Sequence, residues 1–251
     1  MRLFCHQLRG EQRLFWRSRE LAFFTFLFPI LLFILLGSVY GNDRLKGEHV
    51  TGKQYLLAGI LGYGVAATAY AGLAIVLVIK RESGILKRLR ATPLPAPTYV
   101  LGVLASTVLV YALEAIALIV LARYLFHVRY PDRIGSLVLA LLLGSLAFAA
   151  LGIATTGLIR TAEGSSAAVN AIYLPMSFLS GAFWSPHSYP HVLRVVAEVL
   201  PLTYFIRLVK DVVLRHEQIW SDWRYVLVVA GWGLGGLLVS ARTFRWHPRE
   251  G

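Results

Sequence analysis

The chain has 251 residues, of which 57% are hydrophobic and only 15% charged, with a mean hydropathy of +0.63. A water-facing surface cannot be assembled from that composition, so a soluble protein is excluded and lipid is the expected solvent. The formal net charge of +12 does not signal nucleic-acid binding, because Lys and Arg gather at the ends of apolar runs rather than on one soluble face, and membrane lipid is their expected partner.

Residues 1–20 read as a helix lying in the membrane interface. On a helical wheel Arg2, His6, Arg9, Arg13 and Arg17 share one side and Leu3, Phe4, Leu8, Leu14 and Phe15 the other. The first apolar run begins after this stretch and is too long for a cleaved signal sequence, so it is expected to be retained. Six runs approach or exceed the roughly 20 apolar residues that a spanning helix needs: 21–40, 55–79, 98–122, 134–159, 165–184 and 225–241. Their apolarity is continuous rather than alternating, which selects helices over a barrel. No linker, low-complexity tract or repeat divides the chain, so the expectation is one all-α membrane domain over 1–251.

Basic residues set the expected orientation. Arg2, Arg9, Arg13, Arg17 and Arg19 precede the first run; Lys80, Arg81, Lys87, Arg88 and Arg90 follow the second; Arg242, Arg245 and Arg249 follow the sixth. With six spans all three clusters fall on the cytoplasmic side, together with both termini. The opposing loops hold Arg44, Lys46, Lys53, Arg123, Arg129 and Arg133, a weaker basic bias.

Between the second and third runs, residues 80–97 form a compact basic loop. From Lys80 to Thr92 it carries five cations and one carboxylate, and Ile85, Leu86 and Leu89 fall at helical spacing, giving a short helix with an apolar and a basic side. Pro93, Pro95 and Pro97 end it, since each removes a backbone donor and disfavours helix before it. A short, firmly ended surface helix suits the transmission of force from a partner; fixing topology is its simpler role.

Residues 189–220 are apolar enough to dip into the membrane, but Pro190 and Pro201 break the stretch, and Arg194, Glu198, Arg207, Lys210 and Asp211 argue against a full crossing. Glu114 stands inside the third run, where an ionisable group is costly unless paired or wet. It either lines a translocation path, where it suits a cationic substrate, or is paired at a helix interface. Asn170 is a second candidate for the path, with interhelical hydrogen bonding as the alternative, as for Thr155 and Thr156. The glycines from Gly59 to Gly72, Gly144 to Gly157 and Gly231 to Gly236 are expected to permit close helix packing.

Several apparent signals carry no chemistry. Cys5 is the single cysteine, which excludes an intramolecular disulfide, and no Cys/His cluster has zinc spacing. His187 and His191 are separated by Pro190 and have no third ligand nearby. Gly47 to Lys53 has phosphate-loop spacing, but Gln54 stands where Ser or Thr would hold magnesium and no strand precedes it. Ser180-Gly181 suggests an intramembrane serine protease, yet Phe178 occupies the expected glycine position. No constellation for nucleophilic or acid/base catalysis emerges.

Three blocks in order resemble one family. Phe28-Pro29 and Gly37 to Gly41 resemble its first span. Glu82-Ser-Gly84, Leu89 and Thr92-Pro93-Leu94-Pro95 resemble its cytoplasmic loop. Phe178-Leu-Ser-Gly181-Ala-Phe183-Trp-Ser-Pro186, Pro190 and Leu200-Pro201-Leu202-Thr203-Tyr204 resemble its late motif. The family is that of ABC type-2 transporter permeases, the membrane subunits of exporters for drugs and polysaccharides. Tyr189 departs from it where many relatives carry an aliphatic residue. The resemblance implies six spans, an interfacial helix, a coupling helix in 80–97 and short re-entrant helices in 189–220. It further implies two copies of a separate ABC ATPase holding ATP and Mg, with no cofactor in this chain, and a second permease subunit, a homodimer being favoured.

Under that resemblance, ATPase coupling falls on Glu82, Gly84, Leu86 and Leu89, with Lys87, Arg88 and Arg90 contacting either the ATPase or lipid phosphates. The outer cap of the path falls on Gly181, Pro186, Pro190, Pro201 and Tyr204. The expected function is ATP-driven export of an amphipathic or hydrophobic molecule, such as a drug, lipid-like compound or glycoconjugate, across a bacterial inner membrane. An ion-coupled secondary transporter using Glu114 and a non-transporting membrane scaffold are the alternatives.

Overall fold

Helix is the only extended regular structure among the described residues, which in this computed structural model are 2–40, 51–184 and 189–244. An N-terminal helix α1 (Arg2–Arg17) is followed after Ser18 by α2 (Arg19–Tyr40). The second apolar run lies within one 31-residue helix, made of α3 (Gly52–Val65), a π-helical segment Ala66–Gly72, and α4 (Leu73–Glu82). A short α5 (Ile85–Arg90) leads into α6 (Ala96–Phe126), α7 (Ile134–Thr156) and α8 (Ser165–Leu179). The chain closes with α9 (His191–Val199), α10 (Pro201–Leu214) and α11 (Trp223–Thr243).

Five of these helices are long and apolar enough to cross a membrane: α2, the continuous α3–α4 helix, α6, α7 and α11. The run expected at 165–184 behaves differently. Its helix, α8, has 15 residues and extends about 22 Å, less than the roughly 30 Å hydrocarbon core. It ends because Gly181 takes a left-handed φ of 81°, a conformation that suits glycine.

Contacts at the helix ends fix how the long helices run. At one end, α4 meets α1 through Lys80 and Glu11, and meets the C-terminus of α7 through Arg81. A Cβ on Gly157, just beyond α7, would meet Thr243 of α11, so α11 finishes there as well. At the other end, Gly37 of α2 and Lys53 of α3 both lie against Phe126 of α6, and Arg133 before α7 donates to the His216 carbonyl before α11. α2, the α3–α4 helix, α6 and α7 therefore alternate in direction, α11 runs parallel to α7, and the first of these ends carries the basic loop.

Local chemistry explains the elements. Thr51 and Gln54 form a reciprocal capping box that starts α3. Gln54, the residue that departs from the phosphate-loop pattern, is thus a helix cap. The α3–α4 helix is the centre of the bundle, with Leu56, Ile60, Val65, Ala69, Ala74 and Val78 fully buried. Between α3 and α7 lies α10, started by Pro201 at its first position. A Cβ at Gly62 would lie 2.5 Å from Ile206, and one at Gly144 would lie 2.2 Å from Phe205. Both glycines sit roughly 15 Å from the starts of their helices at about 1.5 Å per residue.

The docking face of α1 mixes polar and apolar residues, with Phe4, Leu8 and Phe15 half-buried beside Gln7, Glu11 and Gln12. Leu3, Leu14 and Trp16 are exposed, while the half-buried Gln7 and Gln12 pack on α6: Gln7 fills the space over Gly102, and Gln12 donates to the Ser106 hydroxyl at 2.9 Å. Polar contacts thus hold the helix alongside the half-buried Phe4, Leu8 and Phe15, while Leu3 and Trp16 remain exposed to lipid.

Candidate functional site

The loop after the central helix is built from ordinary stop and turn chemistry. Ser83 Oγ donates to the Ile79 carbonyl at 2.7 Å, and Gly84 then turns the chain at φ 72°. A Cβ there would meet nothing, so glycine is needed for its backbone and not for space. After α5, Thr92 Oγ1 donates to the Leu89 carbonyl at 2.6 Å, and Pro93 and Pro95 prevent continuation.

The expected coupling residues separate into three groups. Leu86 is fully buried and Leu89 half-buried, so they anchor α5 to the bundle. Lys87, Arg88 and Arg90 are exposed and form its outward surface, while the partly exposed Ile85 borders the hollow beside α1. Glu82 is turned inward: Arg81 Nε donates to its Oε1 at 2.6 Å, and its side chain is 14% exposed. Its carboxylate therefore supports Arg81.

Arg81 is 1% exposed. Its Nη1 donates to the Thr156 carbonyl at 2.8 Å and its Nη2 to the Ile159 carbonyl at 2.6 Å. The last carbonyls of a helix lack intrahelical donors, and a cation is favoured at that end of the dipole, so the guanidinium caps α7 from another helix. One residue earlier, Lys80 Nζ donates to Glu11 Oε2 at 2.6 Å, and Gln7 supplies Glu11 Oε1 with a second donor at 2.9 Å. Lys80 and Arg81, the latter supported by Glu82, thus tie α1, α4 and α7 together just before α5.

Deeper in the bundle, Glu114 of α6 is buried and its Oε2 accepts a hydrogen bond from Thr68 Oγ1 at 2.8 Å. Thr68 lies in the π-helical segment, a distortion frequent at functional positions. Gly64 supplies the space, since a Cβ there would lie 2.7 Å from the carboxylate. Asn170 on α8 is half-buried. Thr155 bonds across helices to the Tyr70 hydroxyl at 3.2 Å, whereas Thr156 bonds within its own helix to Ile153.

At the opposite end, the turn after α8 is pinned to α3. Lys210 Nζ donates to the Gly181 carbonyl at 2.7 Å and stands 3.3 Å from the centre of the Tyr55 ring. Pro190 precedes α9 and Pro201 opens α10. Tyr204 donates its hydroxyl to the Glu198 carbonyl at 2.8 Å, and Arg207 makes a two-pronged pair with the Glu198 carboxylate. That guanidinium holds the carboxylate below its ordinary value of 4.5. Pro186 and His187 lie outside the described residues.

Glu11, Arg81, Thr68 and Lys210 carry contacts that sequence reasoning did not assign. The available signals were a cation in the last turn of an apolar run, for Arg81, and a lysine on an otherwise apolar segment, for Lys210. Among the described residues, no group of three or more His, Cys, Asp or Glu could hold a metal ion.

Comparison with known proteins gives one family. The model of the ABC-2 type transporter family matches residues 2–214, and no curated protein sequence matches the chain significantly.

Proposed function

The chain belongs to the ABC-2 type transporter family, and from that premise we propose that it is the permease subunit of an ATP-driven exporter of amphipathic or hydrophobic molecules. Two such permeases, identical copies, enclose one path in a bacterial inner membrane, with both termini cytoplasmic. Two copies of a separate ABC ATPase bind at the basic end and hold the ATP and Mg. In this reading α8 is the short fifth of six spans, α5 is the coupling helix, and α9 and α10 are the re-entrant cap.

The observation that carries this reading is the placement of α5. Its exposed Lys87 and Arg88 follow closely on a charged cluster in which Lys80 ties α4 to α1 and Arg81, supported by Glu82, ties it to the end of α7. A push on α5 is therefore delivered to several helices at once, which is what switching a membrane bundle between two packed states requires. The exposed cations also suit an acidic groove on a partner.

Co-expression with the ATPase of the same operon tests it. Lys87→Glu and Arg88→Glu alter only outward-facing positions, and are expected to abolish co-purification or coupled ATPase activity while leaving the thermal midpoint unchanged. Unaltered assembly and activity in both variants would remove α5 from the contact. Transport that persists with the proton gradient collapsed and ATP present is expected; transport that stops would assign Glu114 to ion coupling.

A further inference from the structure

Two hollows adjoin along α1. One, of about 490 Å³, lies between α1, the start of α2, the α3–α4 helix and α6, and is walled mainly by apolar side chains such as Phe15, Leu73, Val76, Leu77, Val103 and Val110. The other, of about 600 Å³, is an open cleft on α1 itself whose walls include Arg9, Arg13 and Arg17. They share Gly10 and Leu14. A Cβ on Gly10 would meet no atom within 4 Å, so no side chain stands at this shared position. Glycine inside a helix is unfavourable relative to alanine, and here no packing contact requires it.

An apolar chamber beside an arginine-lined cleft has the polarity of an amphiphile with an anionic head. Both volumes are of the size that small-ligand sites occupy, about 300–1,000 Å³. The three arginines are exposed, and none makes an ion pair among the described residues. They lie on the interfacial helix, at the level where lipid headgroups are found. The chamber is also walled by Ile85 and Leu89 of α5 and by the Lys80–Glu11 pair, so an occupant touches the same joint that ties α1 to α4.

We propose that this composite site binds one anionic phospholipid of the adjoining leaflet, with an acyl chain in the chamber under α1 and the phosphate held by Arg13 and Arg17. The lipid completes the packing between α1 and the bundle. Because Ile85 and Leu89 line the chamber, filling it also supports α5. The assignment depends on the chain being in a membrane, not on the direction or substrate of transport.

Photolabelling of the full-length protein in phosphatidylcholine vesicles tests the assignment. The probe is trace phosphatidylglycerol with a diazirine in one acyl chain, compared with phosphatidylcholine carrying the same chain. The expected result is labelling of chamber residues such as Val76 and Val110, with about a tenfold preference for the anionic head. Gly10→Leu sets a bulky side chain between the two hollows, and Arg13→Gln with Arg17→Gln removes the head site. Each is expected to abolish or sharply reduce chamber labelling while labelling of the outward-facing Leu31 and Leu35 persists. Equal labelling by both lipids, chamber labelling that survives both variants, or labelling confined to Leu31 and Leu35 would overturn the proposal. So would displacement of the label by a transported amphiphile that excess phosphatidylglycerol does not reverse.

Discussion

Lys80 Nζ lies 2.6 Å from Glu11 Oε2, and the two side chains are only 12% and 11% exposed. The pair joins the interfacial helix to the last turn of the central helix across a seam with little water. Removing one partner of such a pair leaves the other charge stranded, which costs more than the pair itself contributes. Glu11→Gln and Lys80→Met are each expected to destabilise the protein, with a coupling of about 1–3 kcal/mol in the double-mutant cycle. Thermal unfolding of the detergent-solubilised protein measures it. Trypsin cleavage at Arg13 and Arg17 should accelerate in both single variants as α1 leaves the bundle.

Arg81 makes a different demand, because its three contacts need a planar fork and not merely a charge. Lysine keeps the charge but cannot reach Glu82, Thr156 and Ile159 together. Arg81→Lys is expected to cost about 3 kcal/mol, the range for breaking a buried charged network, and to uncouple ATPase activity from transport. Glu82→Gln retains an acceptor for Arg81 and should be milder than Glu82→Ala in both assays. The opposite order would favour direct contact between Glu82 and a partner.

These two relationships mark what was legible in the chain. Long apolar runs announce spanning helices because lipid leaves the backbone few alternatives, and five of the expected runs lie in helices of spanning length. The shorter α8 was hidden by Phe183 and Trp184, apolar side chains that prolong the run past the turn at Gly181. Within the basic loop, periodicity identified α5 but could not tell Leu86, which is buried, from Ile85, which is exposed. The inward turn of Glu82 was invisible for another reason: its partner's acceptors are backbone carbonyls of α7, which carry no sequence signature. Glu114 was legible as an anomaly, but Thr68, its donor, is an ordinary residue until the π-helical segment directs it.

Gly59 is a close-approach position. A Cβ there would lie 1.8 Å from the Ala182 carbonyl oxygen, a backbone atom that cannot rotate away. Gly59→Ala must push the turn after α8 off α3, breaking the Lys210–Gly181 contact as well. A loss of about 3 kcal/mol or more is expected, visible as a lowered thermal midpoint. Gly231→Ala is the matched control: no atom lies within 4 Å of its Cβ, and relief of glycine's helix penalty should leave stability unchanged or raised by about 0.5–1 kcal/mol.

The Glu198–Arg207 pair joins α9 to α10 at the protein surface and gives that junction a pH dependence of defined sign. Arg207 holds the Glu198 carboxylate below its ordinary value of 4.5, so the folded junction binds a proton less readily than the opened one. Its stabilisation is fully present above that value and is lost as pH falls through the lower folded value. The glutamate side chain is 44% exposed, and solvent screening limits the gain to about 1 kcal/mol or less. Amide exchange across residues 198–207, corrected for the intrinsic pH effect, should show protection falling by about fivefold or less as pH drops below 4.5. Arg207→Gln should remove that step, leaving the junction equally open on both sides of it, whereas a step that persists in the variant would place the titrating group elsewhere.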